Sequence, residues 1–475
     1  MESVISAKDI VLDEASYVDP NGRVFEWQGE IFRGISKGKS NLYRTLIEDG
    51  FIHTLIQKKM LVASEMTSYT LQPFDLVLKH ERVGRRSYCM EWAPEMIKDA
   101  ALLTLDLNLA LLEKDLILQD AYPWNIFFKG PHPIFIDFGS IEHIDATVIW
   151  KAYDQFCGFF LYPLILMETY PIAQLRFFYF DYLTGLSLND FIRLLPLSYQ
   201  LKHPLFSCEL HGVRLLERMA ERFPAKSKAY LEKSKEMAKT RSTKALRIKF
   251  MKNLKKRVER IRVGHTSSFW QRYNENLHVQ YEDVEIHQKE HSVRTVLDKL
   301  PIKSLLDVGC NTGKYAIEAA QRKLEVIALD RDEQCITALY RLAKSQNLNI
   351  LPLVMDLCNP TPAFGWECRQ FDSALERFQC DVVLALAVIH HWIFKQRQDF
   401  KRIFRMFHRL SKSHLVVEFV DRADTVIQPC LEERFYWYTL DSFKKEFSHY
   451  FELEMTLPSD RPTRTIFVGR RKQPI

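Results

Sequence analysis

The chain has 475 residues, a formal net charge of +6, 47% hydrophobic residues and 27% charged residues. This length is too great for one ordinary core and, at roughly 100–200 residues per domain, predicts two or three domains. The composition excludes a disordered chain. The nine cysteines form no CxxC pair, which argues against a disulfide framework and a structural zinc site, so no metal is expected.

The N-terminal sequence MESVISAKDIVLDEAS has no basic segment followed by an apolar run, so it does not predict a signal peptide, and a cytoplasmic location is expected. The most apolar run, residues 156–167, is shorter than the roughly 20 residues of a bilayer span and is interrupted by Pro163. We interpret it as a buried helix and predict no transmembrane segment.

Residues 1–225 are predicted to form an α+β domain, and its most informative stretch is LILQDAYPWNIFFKGPHPIFIDFGS. Asp120 and Asn125 lie on a loop after a predicted helix, and Asp137 follows a predicted hairpin. This order is typical of a phosphotransferase, in which the first Asp orients a hydroxyl group while the Asn and the second Asp hold magnesium on ATP.

The same stretch resembles the catalytic and metal-binding loops of aminoglycoside and choline kinases, and MEWAP at 90–94 resembles their hinge. The departures are Gln119 before Asp120, the lack of a usable glycine-rich loop, and the lack of a strand that supplies a phosphate-binding lysine. We therefore predict a kinase-like lobe that is non-catalytic. A lobe that binds ATP, in a bifunctional or regulatory protein, is the alternative.

Residues 226–264 are predicted to form a basic helical linker. From residue 226 to residue 262 there are fifteen Lys or Arg residues against three Glu, with apolar residues at helical spacing. One interpretation is a contact for an anionic partner, either RNA or a membrane surface. The other is a solvated linker helix whose apolar stripe packs on a neighbour.

Residues 265–475 alternate short apolar runs with helical patterns, which predicts a doubly wound parallel α/β sheet. The predicted strands are 302–308, 324–329, 349–354, 380–387, 413–420, 452–456 and 464–469. Ligands of such sheets bind at the carboxyl ends of the strands.

Three acidic residues end the first three of these strands. Asp307 lies in LLDVGCNTGKY, where Gly309 permits a turn at positive φ and Gly313 permits a ligand to approach the start of the next helix. Asp330 and Asp356 end the second and third strands. The G-x-x-x-G spacing lacks the third glycine of a dinucleotide fingerprint, so a pyrophosphate is disfavoured and a nucleoside site is predicted.

LLDVGCNTGKY, IALDRD, VMDLCNP and DVVLALAVIHHW together resemble four motifs of class I S-adenosylmethionine-dependent methyltransferases, and MDLCNPTPAFGW, VVEFV and RPTRTIFVGRR resemble the NoeA-like family of nodulation proteins. The resemblance implies a seven-stranded methyltransferase sheet and S-adenosylmethionine as cofactor. It places Gly309 and Gly313 beside the methionine part, Asp307 at its ammonium group or the loop, Asp330 at the ribose and Asp356 at the adenine amine. The candidate cofactor-binding set also contains Asn311, Arg331, Leu357 and Ala385.

His390 and His391 follow the fourth strand and are candidate general bases. Neighbouring helical residues point about 100° apart, so at most one faces the methyl group, and a purely structural pair is equally consistent with the sequence. Glu418 could also reach the site, although a surface carboxylate is the simpler interpretation. Trp270 and Tyr273 lie in a segment that could form a lid.

The sequence leaves the methyl acceptor open. A hydroxyl or carboxyl group of a glycan, lipid or specialised metabolite is favoured, and an RNA base is the alternative because of the basic helix. The fourth strand ends in LALAVIHH, which lacks the Pro-Pro loop used on amide and exocyclic amine acceptors.

Overall fold

The computed structural model describes residues 4–17, 19, 21–145, 149–170, 173–181, 183–224, 243–264 and 286–473. The chain divides into two compact units, one formed by residues 1–128 and 133–265 and the other by residues 129–132 and 266–475. Within the described ranges, no helix is long and apolar enough to cross a membrane.

The first unit contains an antiparallel sheet of five strands, in the order β1-β2-β3-β5-β4. Its strands are Val11–Leu12 (β1), Gly22–Trp27 (β2), Glu30–Ile35 (β3), Ser64–Met66 (β4) and Leu76–His80 (β5). Two further pairs follow: Leu116–Leu118 (β6) with Ile141–His143 (β9), and Ile126–Lys129 (β7) with His132–Phe135 (β8). The short β6–β9 ladder brings the segments before Asp120 and after Asp137 side by side.

Helices make up most of the rest of this unit. They are Lys37–Glu48, Phe51–Gln57, Pro94–Leu112, Tyr153–Phe156, Tyr162–Thr169, Leu188–Leu194, Leu197–Lys202, Pro204–Arg222 and Lys244–Arg260. A π-helical segment, Cys157–Leu161, joins two of them, and the whole apolar run 156–167 is helical and buried. The buried helix predicted for that run is confirmed.

The basic helix Lys244–Arg260 packs on the helix Pro94–Leu112. Its apolar stripe, which includes Met251, Leu254 and Val258, is buried. Lys98 Nζ donates to the carbonyl oxygen of Ile261 at 2.7 Å, which fixes the end of the helix. Over these residues the helix is therefore part of the packing of the first unit, while residues 226–242 of the predicted linker lie outside the described residues.

The second unit is built on a seven-stranded sheet with the order β12-β11-β10-β13-β14-β16-β15. Its strands are Ser304–Val308 (β10), Glu325–Asp330 (β11), Ile350–Val354 (β12), Cys380–Ala385 (β13), Ser411–Val420 (β14), Phe451–Pro458 (β15) and Arg464–Arg471 (β16). The strands β10 to β14 run parallel, and β16 is antiparallel to β14 and β15. The predicted strands and fold class of this part are confirmed.

The helices of this unit are Ile286–Lys299, Lys314–Gln321, Glu333–Gln346, Ala374–Arg377, Ile389–Gln396, Phe400–Leu410 and Leu440–Tyr450. The helix Leu440–Tyr450 packs through aromatic rings against the helix Phe400–Leu410 and against β16. The ring centroid of Phe443 lies 5.1 Å from that of Phe404 and 4.9 Å from that of Phe467. This cluster closes the core beside the antiparallel edge of the sheet.

Replacing Phe443, which is fully buried, should destabilise this unit strongly. We expect Phe443→Ala to lower the free energy of unfolding by about 3–5 kcal/mol, since it removes a ring from a packed core and leaves a cavity. Hydrogen exchange of the β14 and β16 amides measures the decrease in the free energy of unfolding of this unit alone. Tyr436→Ala, at a side chain that is 77% exposed, is the control and should have little effect.

Candidate functional site

The loop that follows β10 is held against the end of β11 by its backbone. The N–H groups of Gly309 and Cys310 both donate to the carbonyl oxygen of Leu329, at 2.8 and 3.0 Å. Gly309 and Gly313 have φ values of +70° and +83°, as the predicted turn requires. A Cβ on Gly313 would lie 2.4 Å from Leu339 Cδ1, so this glycine is needed for packing against the helix Glu333–Gln346 as well as for its φ value.

Asp330 ties this loop to the end of β11. Its Oδ2 accepts from the Asn311 N–H at 2.8 Å and its Oδ1 accepts from the Asp332 N–H at 2.9 Å. Burial raises the pKa of Asp330, although the two backbone donors oppose that effect. Because each carboxylate oxygen has two lone pairs, both oxygens retain capacity for further donors.

Asp307 is 3% exposed, and its Oδ2 has no hydrogen-bond partner among the described residues. Burial raises the pKa of this carboxyl to about 7, and the nearby charge of Asp330 acts in the same direction. A buried polar atom without a partner costs roughly 1–3 kcal/mol. The carboxyl is therefore suited to a cationic donor such as an ammonium group.

The third acid, Asp356, follows β12 and is already hydrogen-bonded. Its Oδ1 accepts from the Cys358 N–H at 3.0 Å, and its Oδ2 accepts from Gln396 Nε2 at 3.0 Å. Gln396 ends the helix Ile389–Gln396, and sequence reasoning missed it because it lies forty residues away in the chain. Of the other candidates, Leu357 and Ala385 are buried and Arg331 is exposed.

The two histidines begin the helix that follows β13, and their ring centroids are 4.2 Å apart. His390 is 5% exposed, and its Nδ1 has no partner within the part of the chain that the structure describes. Burial lowers the pKa of His391 to about 4, with Lys395 adding to the effect, and burial lowers that of His390 well below its ordinary value. Burial therefore favours the neutral form of both rings.

Glu418 is not a surface carboxylate, and the simpler interpretation of the sequence was wrong. Its side chain is 0% exposed and accepts from Lys289 Nζ at 2.8 Å and from the Ser459 hydroxyl. Sequence reasoning missed Lys289 and Ser459, because nothing local marks partners that lie far apart in the chain. Trp270 and Tyr273, the candidate lid residues, lie outside the described residues.

In the first unit, Asn125 Nδ2 donates to Asp137 Oδ2 at 3.3 Å, and Asp120 lies close enough that Asp137 raises its pKa. Burial is the largest cause of this shift, and burial and the charge of Asp137 together raise the pKa of Asp120 to about 6. Sequence reasoning missed the buried Arg33, whose guanidinium bridges Asp137 Oδ1 at 2.9 Å and Asp19 Oδ2 at 2.6 Å. The Arg33 guanidinium thus contacts the carboxylate that would hold magnesium in the kinases that this stretch resembles. Among the described residues, no group of three or more His, Cys, Asp or Glu side chains is able to hold a metal ion.

Asp307 should make the stability of the second unit depend on pH. Its folded pKa of about 7 exceeds the ordinary value of 3.8, so its stabilising effect is complete below the ordinary value and is lost as the pH rises through 7. We expect hydrogen exchange of the β10 and β11 amides to show a slope of up to about 1.4 kcal/mol per pH unit in this window. Asp307→Asn should remove the slope, and parallel profiles for the two proteins would contradict the assignment.

Magnesium-ATP should change the Tm of the protein by little, because magnesium at Asp137 would have to break a buried ion pair with Arg33. Ligand at a hundred times its Kd would contribute about 2.7 kcal/mol, which a thermal melt detects readily. A large rise in Tm that Asp137→Ala abolishes would show that the lobe binds the nucleotide after all.

Comparisons with known proteins show which families and proteins the chain is similar to. Residues 306–413 match a family model described as a methyltransferase domain. Over 435 residues the chain is 28% identical to nodulation protein NoeA of Rhizobium meliloti (strain 1021), covering 88% of this chain and 87% of that one.

Two solved structures are similar to parts of the chain. The PH0226 protein of Pyrococcus horikoshii OT3 is 15% identical, with a TM-score of 0.30, over 38% of this chain and 87% of that one. Magnesium protoporphyrin IX methyltransferase of Synechocystis PCC 6803, with bound SAH, is 18% identical, with a TM-score of 0.29, over 38% of this chain and 82% of that one. Given its methyltransferase domain and its similarity to NoeA over most of its length, the chain is an S-adenosylmethionine-dependent methyltransferase.

Proposed function

We propose that the cofactor binds across the carboxyl ends of β10, β11 and β12, and that its methyl group passes to a hydroxyl or carboxyl group of a glycan, lipid or specialised metabolite. The observation that carries the cofactor's placement is the buried Oδ2 of Asp307, which has no partner among the described residues. The methionine part of the cofactor carries an ammonium group, which is the kind of donor that this oxygen requires.

Asp330 is the candidate for the ribose. Its two oxygens face different backbone donors, at Asn311 and Asp332, so the carboxylate is fixed in orientation before any ligand arrives. A carboxylate held in this way can accept from two neighbouring hydroxyl groups without further ordering of the side chain.

Asp356 is the candidate for the adenine amine. The side-chain amide of Gln396 donates to one lone pair of Asp356 Oδ2. Because a carboxylate oxygen accepts two donors, the adenine amine can donate to the same oxygen. The adenine ring would then lie near Leu357, which is buried.

The bound cofactor supplies a methyl group on a positively charged sulfur. The protein needs mainly to align the acceptor with that methyl group and, where the acceptor is an alcohol, to receive a proton. His390 and His391 remain candidate bases because burial favours their neutral form and both begin the helix after β13.

The basic helix supports RNA as the acceptor only weakly. Lys255 pairs with Asp106, Arg257 pairs with Glu209, and Lys244 pairs with Asp115, so part of its charge serves packing within the first unit. This observation favours a small acceptor over an RNA base.

Asp330→Ala tests the cofactor site. We expect the affinity for S-adenosylhomocysteine, measured by calorimetry, to fall by about 10- to 100-fold, since hydrogen bonds to a charged group are lost.

Asp381→Ala is a matched control. Asp381 also accepts from two backbone N–H groups, those of Lys303 and Ser304, but at the amino end of β10. The control should bind the ligand as the wild-type protein does. Equal affinities in both variants would reject the proposed ribose contact.

A further inference from the structure

A pocket of about 320 Å³ lies at the connection from β15 to β16. The pairing of Val420 with Arg464 places the start of β16 beside the carboxyl end of β14. The pocket therefore opens at the same edge of the sheet as the cofactor site. Its volume falls at the lower end of the range of roughly 300–1,000 Å³ that small-molecule sites occupy. Seven of its ten lining residues are polar or charged: Gln288, Thr456, Ser459, Asp460, Arg461, Arg464 and Thr465.

Beside this pocket lies the buried ion pair of Lys289 and Glu418, which the Ser459 hydroxyl also contacts. Lys289 Nζ is 3.9 Å from Asp460 Oδ2 in the pocket wall. The same ammonium lies near enough to Asp307 to oppose the effect of burial on its pKa. The Lys289 ammonium thus acts on both the carboxylate of the pocket and the carboxylate of the cofactor site.

The charges of the pocket distinguish between the possible acceptors. Arg464 pairs with Asp424 at 2.9 Å, and Lys289 pairs with Glu418 at 2.8 Å, so each has a close carboxylate partner. Within the described part of the chain, Asp460 by contrast forms one ion pair, the long contact to Lys289. Arg461 in the same wall lies 3.9 Å from Asp424 Oδ1. An acceptor carboxylate has no proton to give to Asp460 and would be repelled by it, whereas an alcohol would donate a hydrogen bond to it.

We propose that this pocket holds the methyl acceptor, that the reacting group is an alcohol of a polyhydroxylated compound, and that Asp460 receives its proton. The inference rests on the proposed function. The acceptor oxygen forms a bond to the methyl carbon as the carbon–sulfur bond breaks, and the electron pair of that bond stays on sulfur to give S-adenosylhomocysteine. The hydroxyl proton passes to the Asp460 carboxylate, while Lys289 and Glu418 act as positioning residues.

The test uses the full chain, S-adenosylmethionine labelled in the methyl group, and a fractionated extract of the source cells. Asp460→Asn should lower the incorporation of label by at least about 100-fold, as expected for the loss of a general base. Its affinity for S-adenosylhomocysteine should be unchanged, which shows that the variant is folded, and Asp460→Glu should recover part of the activity. Glu452→Gln, at an exposed β15 carboxylate that pairs with Arg470, is the control.

The chemistry of the labelled product tests the class of acceptor. A methyl ether resists mild base and releases methyl iodide with hydriodic acid, whereas a methyl ester loses its label as methanol in mild base. The inference would be overturned if the label were lost in mild base. It would also be overturned if base-stable label were not released by hydriodic acid, or if Asp460→Asn kept full activity. A wild-type protein that does not bind S-adenosylhomocysteine, or that labels no fraction, would instead overturn the proposed function itself.

Discussion

The burial of the Asp307 carboxyl at the carboxyl edge of the parallel sheet is the constraint on which the site depends. The flanking residues of β10 are buried on both faces, so the side chain is almost completely shielded from water. The backbone beyond it turns back to Leu329, and Asp330 fixes that turn through the Asn311 N–H. Two acids therefore lie close together, and the burial that shapes the loop also makes an added positive charge favourable there.

The sequence predicted the elements that depend on local pattern. Apolar runs of strand length predicted the seven strands of the second unit. The parallel topology predicted that the acids at the ends of the first three strands lie at one edge of the sheet. Glu418 was misjudged because a charged residue in VVEFV suggests an exposed face, whereas β14 is central in the sheet and covered on both faces.

Other parts of the site depend on contacts that no local pattern carries. Gln396 reaches Asp356 across forty residues, and Lys289 reaches Glu418 across 129. In the first unit, the order of Asp120, Asn125 and Asp137 pointed to a metal-binding site, but Arg33 contacts Asp137 from a strand that precedes it by about a hundred residues. A buried guanidinium satisfies two carboxylates at once, and such a bridge becomes visible only when the strands are assembled.

The cations Arg464 and Lys289, which lie near β14, also affect which side chain can take up a proton during methyl transfer. Burial already lowers the pKa of His390, and the cations of Arg464 and Lys289 lower it further. A proton taken up by either histidine would create a cation in these surroundings, which oppose it. A proton taken up by Asp460 would remove a negative charge from a site where burial already raises the pKa. Electrostatics therefore favour a carboxylate over an imidazole as the base at this edge, although both kinds of residue lie within the same cluster of charges.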